Sequence, residues 1–316
     1  MTKILITGGF GYLGRYLSYY LNNRGYKIYI VDNLINGFKN KSDKFSFLKE
    51  NFDSIKVKKL ISRENIKIII HLAAFIDSEE SIRKPNLYFE NNVNAFRRFL
   101  NNIKDFKLEK FIFASSAAVY GDIQKKTIAE NDLTLPKSTY GLTKLIGENL
   151  LSDFNFKHQF SRYSLRFFNI VGCDNLSNSG PINKSYKHVF NKLFYNNIFY
   201  LNGIDYDTKD GTCERDFIST KNISNIIEMI IKLKKDSKIN HILNCGTGKK
   251  TSVKELAYNY KKIINPKLKI YKASRRRGDP VRVIANNKKL KKKISINFKN
   301  SNLNSVIKSY INWKIN

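Results

Sequence analysis

Short, largely apolar runs recur along the first half of the chain: Lys3–Thr7, Lys27–Val31, Ile66–His71, Lys110–Ala114 and Tyr163–Phe168. Their β-branched and aromatic content and their length predict strands buried on both faces. Three longer stretches with helical spacing, Tyr12–Asn23, Pro85–Ile103 and Ser138–Phe154, lie between them. Strands alternating with helices predict an α/β fold built on a doubly wound parallel sheet of the Rossmann type. Beyond Asn169 the pattern changes. Asp174–Ser185 is rich in Asn, Ser, Gly and Pro and reads as loop, and helices are predicted at Tyr186–Asn196, Asn222–Lys234 and Ser252–Ile264, with short strands such as Asn240–Asn244. The chain thus divides into a dinucleotide-binding domain over residues 1–168, completed by part of 217–245, and a smaller α/β substrate region over 169–316. The two are expected to pack as one body with a cleft between them.

The charge of +31 over 316 residues invites a nucleic-acid reading. The lysines are spread along the whole chain, and they are abundant together with Asn, Ile, Tyr and Phe, as A+T-rich coding would produce. The densest groups, Lys288-Lys289 and Lys291–Lys293, read as a solvated helix face. Nucleic acid is therefore not expected as a partner, although a positive field would draw in an anionic substrate. No apolar run is long enough to span a bilayer, and Met1 leads straight into a strand without a secretion signal. Three widely spaced cysteines, Cys173, Cys213 and Cys245, fit reduced thiols and give no metal-site spacing. A cytoplasmic protein without a metal is expected.

Two constellations carry chemistry. Thr7-Gly8-Gly9-Phe10-Gly11-Tyr12-Leu13-Gly14 sits between a predicted strand and a predicted helix. Glycines there permit a tight turn and let backbone amides approach a pyrophosphate at the helix N-terminus. Asp32 closes the second strand, where a carboxylate accepts hydrogen bonds from ribose hydroxyls and repels a 2′-phosphate, so NAD is expected rather than NADP. The second is Tyr140-Gly141-Leu142-Thr143-Lys144 at a predicted helix start, which puts Tyr140 and Lys144 on one face. An ammonium and a positive nicotinamide nearby would favour tyrosinate and make Tyr140 a base. Ser116, after the strand Lys110–Ala114, supplies a hydroxyl for the reacting oxygen.

These motifs together resemble the extended short-chain dehydrogenases/reductases, and among them the UDP-glucose 4-epimerases. The similarity covers Gly8–Gly14, Val31–Leu34, His71–Ala74, Asn91–Asn94, Phe113–Gly121, Tyr140–Lys144, Leu165–Asn169, Asp205–Phe217 and Arg275–Asp279. It implies that NAD lies against Gly8, Gly11, Tyr12, Leu13, Gly14, Asp32, Asn33, Asn51, Ala73, Asn92, Tyr140 and Lys144. A UDP-sugar would lie against Ser116, Asn169, Arg215, Arg276, Asp279 and Val283. It implies a mechanism in which Tyr140 and Ser116 act on the sugar 4-hydroxyl while C4 is transiently oxidised, and a homodimer built from the helices at Pro85–Ile103 and Ser138–Phe154. In this family the position of Val283 lines the sugar 2-position; a small residue there implies room for an N-acetyl group, with Arg282 long enough to fill that room instead. The sequence departs from the family at Asn51 (often Asp), Ile76 (a lysine), Asn202 (an aromatic) and Ile182–Tyr186. A 4,6-dehydratase on this scaffold needs an acid pair where Ala117-Ala118 stand; Asp32 argues against an NADPH-linked 4-reductase; a non-catalytic binding protein would have been free to lose Tyr140 or Lys144.

Overall fold

Among the described residues the central sheet has seven strands, all parallel, and helical segments separate all of them in the chain except Lys27–Asp32 and Ser46–Lys49, which a loop joins. The computed structural model describes residues 1–40, 43–174, 179–180, 189–234, 240–276, 279–298 and 301–315. The first part runs β1 (Lys3–Thr7), α1 (Tyr12–Asn22), β2 (Lys27–Asp32), β3 (Ser46–Lys49), α2 (Ile55–Glu64), β4 (Ile68–His71), α3 (Ser78–Arg83), α4 (Pro85–Phe89), α5 (Ala95–Ile103), β5 (Lys110–Ser116), α6 (Thr139–Asp153) and β6 (Ser161–Phe167). The second runs β7 (Asn169–Val171), α7 (Val189–Tyr195), β8 (Ile198–Asn202), β9 (Glu214–Arg215), β10 (Phe217–Ser219), α8 (Thr220–Lys232), β11 (Asn240–Cys245), β12 (Thr251–Ser252), α9 (Val253–Ile263), β13 (Lys269–Ala273), β14 (Arg282–Val283), α10 (Lys288–Lys293) and α11 (Leu303–Ile315). The sheet order is β11-β6-β5-β4-β1-β2-β3. Its first strand, β11, comes from the second half of the chain, and α8 packs beside α1.

Period-two alternation divides the strand residues between two cores. Ile4, Ile6, Ile28, Ile30, Ile70 and Ile112 join Leu17 of α1 and Ile223, Ile227 and Ile230 of α8. Leu5, Val31, Ile69, Phe111 and Phe113 join Val57 of α2, Phe96 and Phe99 of α5, and Leu151 of α6. A third core, with Phe190, Leu201, Phe217, Leu256, Ile307 and Tyr310, unites the second half. His71 belongs to the aromatic packing of the second core. Its ring lies 4.7 Å from that of Phe96 and 6.0 Å from that of Phe113, and Nδ1 is 2.8 Å from Thr7 Oγ1. Burial holds its pKa well below the ordinary histidine value, so it is a neutral core residue.

Several boundaries differ from those predicted. The strand expected from Ile66 begins at Ile68, because Asn65 caps α2 in the left-handed region (φ 51°) and Ile66 N–H closes back onto Ile61 O. The single helix expected over Pro85–Ile103 is interrupted by a π-helical turn at Glu90–Asn94, from which Asn92 points inward. The strand β3 and helix α2 were not anticipated, nor was α11, although Leu303, Val306, Ile307 and Tyr310 have helical spacing. The lysines of α10 are largely exposed around a buried Leu290, as a solvated face requires. Most of the loop at 174–185 and the first residues of the helix predicted from Tyr186 lie outside the described residues, as do Arg277 and Gly278. Among the described residues no helix is long and apolar enough to cross a membrane.

Candidate active site

A cleft of about 560 Å³ opens along the C-terminal ends of β1, β2, β4, β5 and β6, the end of a doubly wound sheet where ligands bind. One end is built by the glycine loop. Gly8 has φ +68°, and a Cβ there would lie 2.7 Å from Ala73 N; a Cβ on Gly14 would lie 2.2 Å from Gly8 O. Only glycine lets the N-terminus of α1 sit this close to the loop and to the end of β4. Gly8, Gly11, Tyr12, Leu13 and Gly14 all line the cleft, and α1 carries no acid in its first turn to compete for its free N–H groups.

Asp32 lines the same end. Its carboxylate accepts from Phe10 N (2.9 Å) and Leu34 N (2.8 Å). Burial raises its pKa, and these two hydrogen bonds oppose the rise. Asn33 and Ala73 also line the cleft. Asn51 does not: it accepts a hydrogen bond from Asn33 Nδ2 at 2.9 Å and steadies that side chain, while its neighbours Glu50 and Phe52 face the cleft. Asn92 is not a lining residue either. It is buried, with Oδ1 accepting from Phe75 N (2.9 Å) and Nδ2 donating to Phe75 O (2.9 Å) and Thr143 Oγ1 (3.1 Å). Its role is to pin the turn after β4 against α6, and Asn91 faces the cleft in its place.

At the middle of the cleft, three consecutive residues of β5 meet one stripe of α6. Lys144 Nζ donates to Ala114 O at 2.7 Å, Ser115 Oγ donates to Glu148 Oε1, and Tyr140 and Ser116 both line the cleft, the Ser116 hydroxyl near enough to the phenol to favour its ionised form. The helix is placed by Ser138, whose Oγ accepts from Gly141 N (3.1 Å), and by Tyr140 N donating to Ser81 Oγ of α3 (3.0 Å). The electrostatics differ from the sequence expectation. Lys144 is 4 % exposed, and desolvation pulls its pKa down to about 7, opposed by the charge of Glu148. Its ammonium is spent on the Ala114 carbonyl and lies 5.9 Å from the Tyr140 ring centroid. Burial raises the pKa of Tyr140, with the Ser116 hydrogen bond opposing. Lys144 alone therefore does not make Tyr140 a base.

Of the residues expected at the nucleotide end, Asn169 and Arg276 line the cleft. Asn169 Nδ2 also donates to Asp216 O at 3.3 Å. Arg215 and Asp279 form an ion pair with each other beside the buried Cys213. Val283 is the register partner of Arg215 on β14 and packs against the cluster of Ala117, Phe168 and Ala285. Arg282 is turned away, bound to Glu214 Oε2 (2.7 Å) and to Asp207 O. The acids of the stretch 210–216 brace the backbone. Asp216 is fully buried and accepts from Thr247 N and Oγ1, Gly248 N and Ala285 N, and Asp210 accepts from Thr212 and Ser252.

Sequence reasoning missed several lining residues. Tyr310 reaches the cleft from α11 and Asn191 from α7, Phe75 and Asp77 come from the segment between β4 and α3, and Ser78 and Glu79 from the start of α3; Ile76, where the family has a lysine, lines it as well. Tyr310 accepts from Gly172 N at 3.0 Å, and Tyr12 OH donates to Gly172 O, so α11 is tied to the start of α1. The apolar spacing of α11 was the signal available for it.

The chain is similar to known proteins over nearly its whole length. Residues 4–246 match the model of the NAD dependent epimerase/dehydratase family. A UDP-glucose 4-epimerase of Rhizobium meliloti (strain 1021) is 31 % identical over 294 residues, 91 % of this chain and 89 % of the relative. The structure of a UDP-glucose 4-epimerase from Brucella ovis in complex with NAD superposes with a TM-score of 0.92 at 26 % identity, over 98 % of this chain and 97 % of the other. A UDP-Glc/GlcNAc 4-epimerase from Campylobacter jejuni does so with a TM-score of 0.80 at 29 % identity, over 100 % and 99 %. A match over residues 4–246 and a relative 31 % identical over 91 % of the chain show that this chain belongs to the NAD dependent epimerase/dehydratase family.

Proposed function

We propose that this enzyme interconverts UDP-hexoses at C4, with Ser116, Tyr140 and Lys144 as its catalytic residues. The observation that carries the reading is the meeting of Ser116 and Tyr140 in a cleft continuous with the glycine loop, in a chain that matches UDP-glucose 4-epimerases from end to end. NAD, when bound, supplies a hydride acceptor for C4 and a positive charge that favours the tyrosinate. Gly8, Gly11 and the N-terminus of α1 hold its pyrophosphate, and Asp32 its adenosine ribose. Tyr140 takes the proton from the sugar 4-hydroxyl, and Ser116 donates to the same oxygen as charge builds on it. Asn169, Arg215, Arg276 and Asp279 hold the UDP, the arginines meeting the phosphates with forked donors. For this Arg215 exchanges part of its bond to Asp279 for the nucleotide. With the UDP end anchored, the 4-keto sugar turns over and presents its other face. Elimination of water is not supported, since Ala117 and Ala118 provide no acid beside Ser116.

Replacing Tyr140 by Phe removes the base and leaves the packing. Turnover of UDP-galactose should fall by about 10²–10⁴, with the NAD content of the purified protein unchanged. A Phe variant with near-normal turnover would refute the assignment.

The substrate range is proposed to include N-acetylated sugars. Val283 is small and packs beside Ala117, and Arg282 is engaged by Glu214 and Asp207 rather than free to fill the space. The neighbouring enzyme from Campylobacter jejuni is described as acting on both kinds of substrate. Activity on UDP-GlcNAc is expected in the wild type, with selective loss in Val283→Tyr. Equal treatment of plain and N-acetylated sugars by the variant, or an inactive wild type, contradicts this.

A cytoplasmic homodimer is proposed as the working form. Ile82, Leu87 and Leu142 are exposed on α3, α4 and α6, with Phe89, Val93 and Ile146 half-buried on the same group of helices, and an apolar face of this kind favours a symmetric partner. Light scattering at micromolar concentration should give twice the mass of 36.8 kDa; a monomer would exclude the dimer.

A further inference from the structure

The stripe of α6 that carries Tyr140 and Lys144 continues one turn further, to Glu148. Residues 140, 144 and 148 are spaced by four and meet Ser116, Ala114 and Ser115 of β5. Glu148 is the hub of a buried network. Arg166 of β6, the register neighbour of Ser115, grips it with two hydrogen bonds, Nε to Oε1 at 2.9 Å and Nη2 to Oε2 at 2.7 Å. Both side chains of the pair are under 5 % exposed. Arg166 also donates to Glu130 O (3.3 Å) and stacks over Tyr120 at 4.7 Å, and the Glu130 carboxylate accepts from Asn244 N of β11. A buried ion pair gives little net stability when apolar residues would fill the same space, so its presence under the reacting groups calls for another role.

We propose that Glu148 is a positioning residue of the reaction: its carboxylate ties the helix bearing Tyr140 and Lys144 to the strand bearing Ser116, and presents a negative charge to Lys144 from one helical turn away. The charged and titratable groups facing Lys144 are Tyr140 and Glu148 from its own helix and neutral His71 from β4, with Arg166 of β6 reaching it through Glu148; the Phe113 ring lies 5.0 Å from Nζ. Glu148 is the one negative charge among them, and it opposes the desolvation that brings Lys144 down to about 7. The sign follows. Without Glu148 the folded Lys144 pKa falls further, so the ammonium present at low pH is lost at a lower pH than in the wild type.

The inference rests on the epimerase reading, and its test separates the two. In Glu148→Gln the alkaline limb of the kcat profile for UDP-galactose should move down by about one pH unit, with kcat at the optimum about tenfold lower and KM little changed. Because this variant leaves the Arg166 cation unpaired, Glu148→Gln/Arg166→Met, which removes both charges, should shift the limb in the same direction by a smaller amount. Ser115→Ala leaves the ion pair intact; it should lower kcat by severalfold without moving the limb. Titration of Lys144 by NMR of labelled lysine side chains, assigned with Lys144→Ala, reads the same shift without turnover. A wild type inactive on UDP-hexoses would sink the epimerase reading, whereas a Lys144 titration unmoved in a folded Glu148 variant, or full activity in Ser115→Ala, would overturn the role of Glu148.

Discussion

An ammonium buried in the crossing of α6 and β5 is the constraint on which the site depends. Lys144 has given up nearly all its contact with water, and a charge taken out of water is tolerated only where oriented dipoles and opposite charge replace the lost hydration. Here the Ala114 carbonyl and the Glu148 carboxylate do so in part, leaving the pKa of Lys144 lowered to about 7. Both are effective only if the helix lies on the strand in one register. That register brings Tyr140 to Ser116, so the packing that satisfies the lysine also assembles the reacting pair.

The same crossing explains how the two halves of the chain share one cleft. The sheet carries the cofactor end on β1, β2 and β4, and the reacting groups on β5. It is closed by β11 from the second half, whose Asn244 amide bonds the Glu130 carboxylate next to Arg166. The nucleotide end is braced differently. Asp216 gathers Thr247, Gly248 and Ala285, and so holds β9, β14 and the turn after β11 around Arg215 and Val283. The side chains there rest on the acids Asp216 and Asp210, which are bonded to backbone amides and hydroxyls, so a run such as 210–216 reads as one motif although its residues do different work.

Much of the fold was legible because the parallel strands are buried on both faces and so appear as uninterrupted apolar runs; β1 matches the prediction residue for residue, and β2 and β5 run only one or two residues longer. What escaped lacks that signature. The edge strand β3 has only two half-buried residues, Phe47 and Leu48, and α11 depends on a third core that forms only when distant segments meet. The glycine loop, Asp32, Ser116, Tyr140 and Lys144, singled out by spacing, lie along one cleft, because their geometry is local to one turn or one helix. Asn51 and Asn92 do not line the cleft, and an asparagine in a motif looks the same whether it faces a cleft or holds the loop that does. The raised Tyr140 pKa was hidden for a related reason: i, i+4 spacing shows that Lys144 shares a helix face with Tyr140, but not that a carbonyl of β5 has already claimed its proton.

The proposed reaction oxidises C4 and reduces it again within one enclosed site. Conversion of UDP-galactose carrying deuterium at C4, run in ordinary water, follows that hydrogen. Hydride removal and return by the same bound cofactor predicts UDP-glucose that keeps the deuterium at C4 in full. Product in which that label has been lost to solvent would contradict it.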